Sequence, residues 1–236
     1  SITIDDIKKA SSIKGTGNGD NKSGYRTIAE FKKQYGTVIE QKAKELGVDP
    51  NALAAVIFTE STGAGFYGNG DMKIRFEVHW FLQFAGSDAK NYFRVNIGVH
   101  QFRETADGQW KDMHTSSMKG DNEYAALKVA ARLNEDAAYK SISMGLGQQM
   151  GFNSKECGYS SAKEMFNAYS QGENVQIDGM FSFIKNYQKD NMLPALKRKD
   201  YETFVRYYNG AKIGSEDNKI YSGKMVKYEQ QYRDSK

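Results

Sequence analysis

The stretch "FTESTGAGF", residues 58–66, ends an apolar run in one carboxylate, Glu60, and follows it with small residues. Leu53, Val56, Ile57 and Glu60 recur at i, i+3, i+4 and i+7, so the acid shares a helical face with core residues. Burial disfavours a charged carboxylate, and so does the partial negative charge at a helix C-terminus. Both push a carboxyl toward its protonated form near neutral pH, which suits a general acid. The bland alternative is an exposed glutamate in a frayed last turn, and periodicity alone leaves both open. The small residues after Glu60 are expected to give a ligand room to reach it.

Three further stretches carry candidate polar groups. "SMGLGQQMGFN" (143–153) combines Gly145 and Gly147, which let backbone approach closely, with Gln148, which donates and accepts. "RYYNG" (206–210) puts Tyr208 on a face with Phe204 and Val205, where its hydroxyl could reach Glu60. "KIRFEVHWF" (73–81) alternates like a short strand, setting Glu77 and His79 opposite Phe76, Val78 and Trp80. Each also has a structural reading: a polar turn, a core tyrosine and a salt-bridged acid. His79, His100 and His114 lie far apart and show no metal-ligand spacing, and Cys157 is the single cysteine. No metal or organic cofactor is expected.

The elements that must hold these groups are mostly helical. Asp49 caps and Pro50 opens a helix expected over 50–60, preceded by a helix stopped at Gly47. Asp121 or Asn122 is expected to cap "EYAALKVAARL", Ser161 and Glu164 form a capping box, and Asp200 opens a helix ending at Asn209-Gly210. Ile177, Met180, Phe181 and Ile184 share a face of another helix. Residues 86–120 are polar and read as a long irregular excursion of the kind used for lids. "SSIKGTGNGDNKSG" (11–24) reads as a linker, so residues 1–24 are expected to be a flexible arm and 25–236 one domain.

Composition narrows the classes. Of the 236 residues 39% are hydrophobic, enough for a sizeable core, and the 15 Tyr and 13 Phe suit an aromatic core or a groove for a polar ligand. The net charge of +4 is scattered without a Lys/Arg block, against nucleic-acid binding. No apolar run approaches the roughly 18 residues that span a membrane. No signal-peptide pattern is visible at the start.

"ESTGAGF" with "FEVHWF", "SMGLGQQMGFN" and "RYYNG", in this order and spacing, resembles the N-acetylmuramidase family of phage endolysins. The resemblance covers roughly residues 35–232 and extends to "GYSSAKEMFNAY" and "LKRKDYETFVRYYNG". It is also similar to the wider pattern of goose-type lysozymes and soluble lytic transglycosylases. It departs from the family at Met144, Gln149 and Val78, and over 86–120. It implies a mainly α, lysozyme-like domain with a small β-hairpin after the catalytic helix, and a muramidase cutting the β-1,4 bond between N-acetylmuramic acid and N-acetylglucosamine. Glu60 matches the family's catalytic acid. Glu77 is the first candidate for a second carboxylate and Asp71 the other. Ser61, Gly65, His79, Gln148, Tyr208 and Asn209 are the expected substrate contacts. The rivals are a lytic transglycosylase, which lets the muramyl 6-hydroxyl attack, and a non-catalytic glycan-binding phage-tail module. The expected partner is the peptidoglycan glycan strand, met by a monomer without nucleic acid or membrane insertion. The site of action is the bacterial wall, reached as a phage lysin or an exported effector.

Overall fold

The computed structural model describes residues 3–6, 25–115 and 120–236; the arm expected over 1–24 lies, apart from 3–6, outside the described residues. Helix α1 (Ile28–Leu46) is capped by Thr27 and stopped by Gly47 at φ 72°. Helix α2 (Pro50–Ser61) starts from the Asp49 side chain, which accepts from Asn51 N at 2.8 Å. Strand β1 (Ile74–Phe76) leads directly into α3 (Val78–Phe84). A 3-10 turn (Ser87–Asn91) and strands β2 (Phe93–Asn96), β3 (Val99–Phe102) and β4 (Lys111–Asp112) follow. Then come α4 (Asp121–Leu133), α5 (Glu135–Lys140), β5 (Ile142–Met144) and β6 (Gln149–Met150). The chain closes with α6 (Ala162–Tyr169), α7 (Glu173–Asn186), α8 (Met192–Lys197), α9 (Tyr201–Asn209) and α10 (Glu216–Asp234).

Helix α2 is the axis of the core. Every residue from Ala52 to Thr59 is buried, as is Ser61. Its apolar surface therefore runs all round rather than along the single stripe expected, as in a helix enclosed by others. Helix α10 packs along it on one side and α1 on another. Phe58 meets Phe31 of α1 edge-on at 5.1 Å and Tyr228 of α10 at 5.8 Å. Burial of each such ring contributes on the order of 2–3 kcal/mol.

Two small antiparallel sheets flank this core. In the first, β5 is central: Ile74 faces Met144, Phe76 faces Ile142, and Met144 faces Gln149 of β6. The β structure after α2 thus begins as a strand paired at long range, with a bridge between Phe66 and Met72 closing the turn before it and the β2–β3 hairpin following. Strand β1 is also shorter than "KIRFEVHWF" suggested. Glu77 N donates to Ser141 O at 2.9 Å, and beyond it Trp80 and Phe81 bond back to Glu77 O as α3 begins. Val78 and Phe81 are buried one turn apart, so the alternation masked a helix.

The excursion at 86–120 is ordered where it is described. Strands β2–β3–β4 form the second sheet, with Phe93 directly opposite Phe102. Phe93 stacks on Phe76 at 5.2 Å and meets Phe81 at 4.8 Å, which pins the sheet to β1 and α3. Outside, Trp110 lies between the guanidinium groups of Arg94 and Arg103 at 4.2 and 4.4 Å.

Caps follow the sequence with two differences. Helix α4 is preceded by Gly120 in the left-handed region, so Asp121 lies inside it and Asn122 reaches Asp112 O instead. Ser161 caps α6 as expected, but Glu164 returns its bonds to Ser160 N and Oγ.

One buried carboxylate ties the helices together. Glu173, at the start of α7, accepts from Arg26 Nη2 at 2.6 Å, Tyr35 Oη at 2.9 Å and Gly65 N at 2.9 Å. These partners come from before α1, from α1 and from the turn after α2. Replacing Glu173 with Ala strands the buried Arg26 charge and should lower unfolding free energy by about 3–5 kcal/mol. Urea denaturation measures it; a loss below about 1 kcal/mol would show that the network is dispensable.

Candidate active site

Glu60 is the last residue but one of α2 and stays half-buried where its helical neighbours are fully covered. Burial pushes its pKa up to about 8, opposed by a hydrogen bond from the Asn209 side chain and by the more distant Lys224 ammonium. Asn209 Oδ1 already accepts from Ala211 N at 3.0 Å, which leaves Nδ2 to donate to Glu60. The partial negative charge at the end of α2 acts in the same direction as burial. The result is a carboxyl that holds its proton at neutral pH at the partly exposed end of α2.

Glu77 caps no backbone group; its carboxylate serves the side chains around it. Arg75 Nε approaches Oε1 at 2.7 Å, while Oε2 faces His79 Nδ1 at 3.7 Å and His100 Nδ1 at 4.0 Å. Tyr221 of α10 feels the charge of both acids. Burial raises its pKa first and the Glu60 charge next, with Arg75 and Glu77 also acting on it. Asp71, the other candidate, sits in the turn at 67–71 under the influence of Lys128 and Asp121 of α4.

Several expected substrate contacts are placed differently. Ser61 is buried and its Oγ donates to Ile57 O at 2.9 Å, so it does not present a hydroxyl to a ligand. Gly65 is also buried: a Cβ there would overlap Gln176 Oε1. The lack of a side chain at Gly65 thus serves close packing on α7, and that at Gly63 packing on Phe58. Gln148 is committed within its turn, accepting from Ser143 Oγ at 2.8 Å and donating to Gly145 O at 2.9 Å. Tyr208 does not bond Glu60. Its hydroxyl donates to Gly147 O at 2.6 Å and accepts from Gln149 Nε2 at 2.7 Å. Gly147 must lack a side chain, because a Cβ would overlap Gln149 Nε2. Asn209 and His79 remain where a ligand can touch them, His79 with half its side chain exposed.

The structure also brings in residues the sequence did not assign to the site. Gln149 is buried, with Tyr169 Oη donating to its Oε1 at 2.8 Å. The chain Tyr169–Gln149–Tyr208–Gly147 gives each of these buried polar side chains a partner. Lys73 Nζ donates to Ser61 O at 2.9 Å, closing the C-terminal end of α2, while Lys73 O accepts from Gly145 N at 2.9 Å. Lys73 thereby joins the acid's helix to the 145–148 turn. Tyr221 and Lys224 come from α10, where no motif flagged them. The three histidines, distant in sequence, stand in a row: His79 and His100 have ring centres 5.5 Å apart, and His100 and His114 5.6 Å.

The family model for N-acetylmuramidase matches residues 49–233, a span that contains Glu60, Glu77 and Asn209. The chain belongs to the N-acetylmuramidase family. No curated protein matches it in sequence. Among solved structures, the Burkholderia AP3 phage endolysin is similar, with a TM-score of 0.62 and 27% identity over 84% of this chain and 69% of that one. This muramidase is a mainly α, lysozyme-like glycoside hydrolase that degrades peptidoglycan. Among the described residues, no helix is long and apolar enough to cross a membrane.

The raised pKa of Glu60 has a signed consequence for stability. Between 4.5, its ordinary value, and about 8, the folded state holds a proton that the unfolded state has released. The wild type therefore loses stability as pH rises through this window, and Glu60→Gln does not. The Tm of the variant minus that of the wild type should grow from about pH 5 to about pH 8 and then level off. A difference that stays constant across this range would contradict the burial of the acid.

Proposed function

We propose that Glu60 is the general acid of hydrolysis at the β-1,4 bond following N-acetylmuramic acid, with Glu77 as the second carboxylate. The observation that carries this reading is the desolvated carboxyl of Glu60, pushed up to about 8 and held by Asn209. Protonated at neutral pH, it gives its proton to the glycosidic oxygen as the bond to the anomeric carbon breaks. Positive charge then develops on the sugar ring. Glu77 stands ready to take a proton from the attacking water: Arg75 occupies Oε1 and leaves Oε2 for it. Asn209 orients the Glu60 carboxyl, and His79 offers a contact to the sugar at the open side of Glu77. Tyr208, Gln148 and Gln149 act one layer back, by fixing the 145–149 turn.

Residues 25–236 form the catalytic unit in this reading, acting as a monomer on glycan strands of the wall. It needs neither nucleic acid nor membrane insertion, and it suits either a phage lysin or an exported effector.

Glu60→Gln keeps the shape and removes the transferable proton. Lysis of purified walls should fall by about 10²- to 10⁴-fold with the fold intact by circular dichroism. A folded variant retaining more than about a tenth of wild-type activity would remove Glu60 from the role.

Mass spectrometry of the wild-type digest should show fragments ending in reducing N-acetylmuramic acid. Predominant 1,6-anhydro ends would instead make the enzyme a transglycosylase. Glu77→Gln should lose most hydrolysis while folded; full activity would transfer water activation to another group.

A further inference from the structure

The second sheet delivers a ligand set to the side of Glu77 that Arg75 leaves free. Strand β3 carries His100, paired with Val95 across the β2–β3 hairpin, and the Phe76–Phe81–Phe93 cluster holds that sheet against α3. Glu77 at the start of α3, His79 two residues on, and His100 then converge. One donor atom from each lies within 4.8 Å of the others. Arg75 takes Glu77 Oε1, so Oε2 is the oxygen turned toward both imidazoles.

Two ring nitrogens nearby lack what buried polar atoms normally have. His100 Nδ1 and His114 Nε2 are both buried and have no hydrogen-bond partner among the described residues. His114 stands behind His100, and its Nδ1 is bonded to Glu123 Oε1 at 2.7 Å. Glu123 also accepts from Phe76 N at 3.2 Å, so the carboxylate is anchored in the first sheet's edge. Glu123 on Nδ1 fixes His114 as the tautomer whose Nε2 is an acceptor; His114 backs the row and is not one of the three converging donors.

We propose that Glu77, His79 and His100 bind a divalent transition metal, with Zn²⁺ as the first choice. Imidazole nitrogen and carboxylate oxygen are the donors that Zn²⁺ takes at about 2.0–2.2 Å in tetrahedral geometry. Tetrahedral ligation at that length sets donors about 3.3 Å apart, so Glu77 Oε2 at 3.7 and 4.0 Å from the two nitrogens needs only side-chain adjustment. The half-exposed His79 can supply that movement. Three protein ligands leave a fourth position for water on the groove side. Bound metal uses the His100 lone pair and clamps the second sheet to α3. Binding does not depend on the catalytic role of Glu77. Its consequence for lysis does rest on that reading: a metal on Oε2 removes the proton acceptor and slows the enzyme.

The test uses tag-free, chelator-stripped full chain, titrated with Zn²⁺ by calorimetry and with Co²⁺ by visible absorption. One equivalent should bind, with the intense d–d bands of a low-coordinate site. His100→Ala and His79→Ala should each weaken binding at least about tenfold. His79 is exposed enough that its loss leaves the fold standing if His100→Ala does not. Absence of saturable binding below about millimolar Zn²⁺, or binding unchanged in a folded His79→Ala variant, would overturn the site. Lysis should slow on Zn²⁺ addition and recover with chelator. A chain that binds one equivalent in this His-dependent way without losing activity upholds the site and counts against Glu77 as the base.

Discussion

The desolvation of one carboxyl at the end of a wholly enclosed helix governs the arrangement. Helix α2 has no polar face from Ala52 to Thr59, so it can exist only inside other elements, and α1 and α10 supply that cover. Glu60 is where the enclosed helix first becomes partly exposed. The same packing that excludes water from Phe58 and Ile57 makes ionisation of Glu60 unfavourable. Stability of the core and acidity at the site are therefore two consequences of one burial, and the core cannot be loosened there without returning the acid to an ordinary pKa.

Glu173 and Glu60 show how environment sorts two acids a few residues apart in space along the 61–65 turn. Glu173 is almost wholly buried, yet three donors, one of them the Arg26 guanidinium, meet its carboxylate, so its role is structural. Glu60 is less covered but has one amide as partner, so its charge is not compensated. The glycine-containing turn after α2 serves Glu173 directly, through Gly65 N. Lys73 completes the junction by holding Ser61 O and, through its own carbonyl, Gly145 N.

Much of this was legible in the residues. The Asp49–Pro50 start, the Gly47 and Gly210 stops and the Ser161 and Asp200 caps follow local rules that need no tertiary information. Glu60 stood out because its type and position conflict with an apolar helix. What could not be read depends on long-range contacts. "FEVHWF" is too short for periodicity to separate strand from helix, and the pairing of β1 with β5 ends it at Phe76. The second sheet buries few apolar residues, so it resembled a loop. Ser61, Gln148 and Tyr208 were assigned to the groove by motif, but their hydrogen bonds turn inward. The three histidines reach one another only because the aromatic cluster folds the excursion back.

Direct titration of Glu60 tests the account at its root. Carboxyl-¹³C-labelled glutamate, followed by NMR with Glu60→Gln to assign the resonance, reports the ionisation of this side chain alone. Burial at the end of α2 predicts a midpoint of about 8, with the protonated form dominant at neutral pH. A midpoint near the ordinary value of 4.5 in the folded protein would contradict it, and with it the assignment of Glu60 as the acid that begins glycan cleavage.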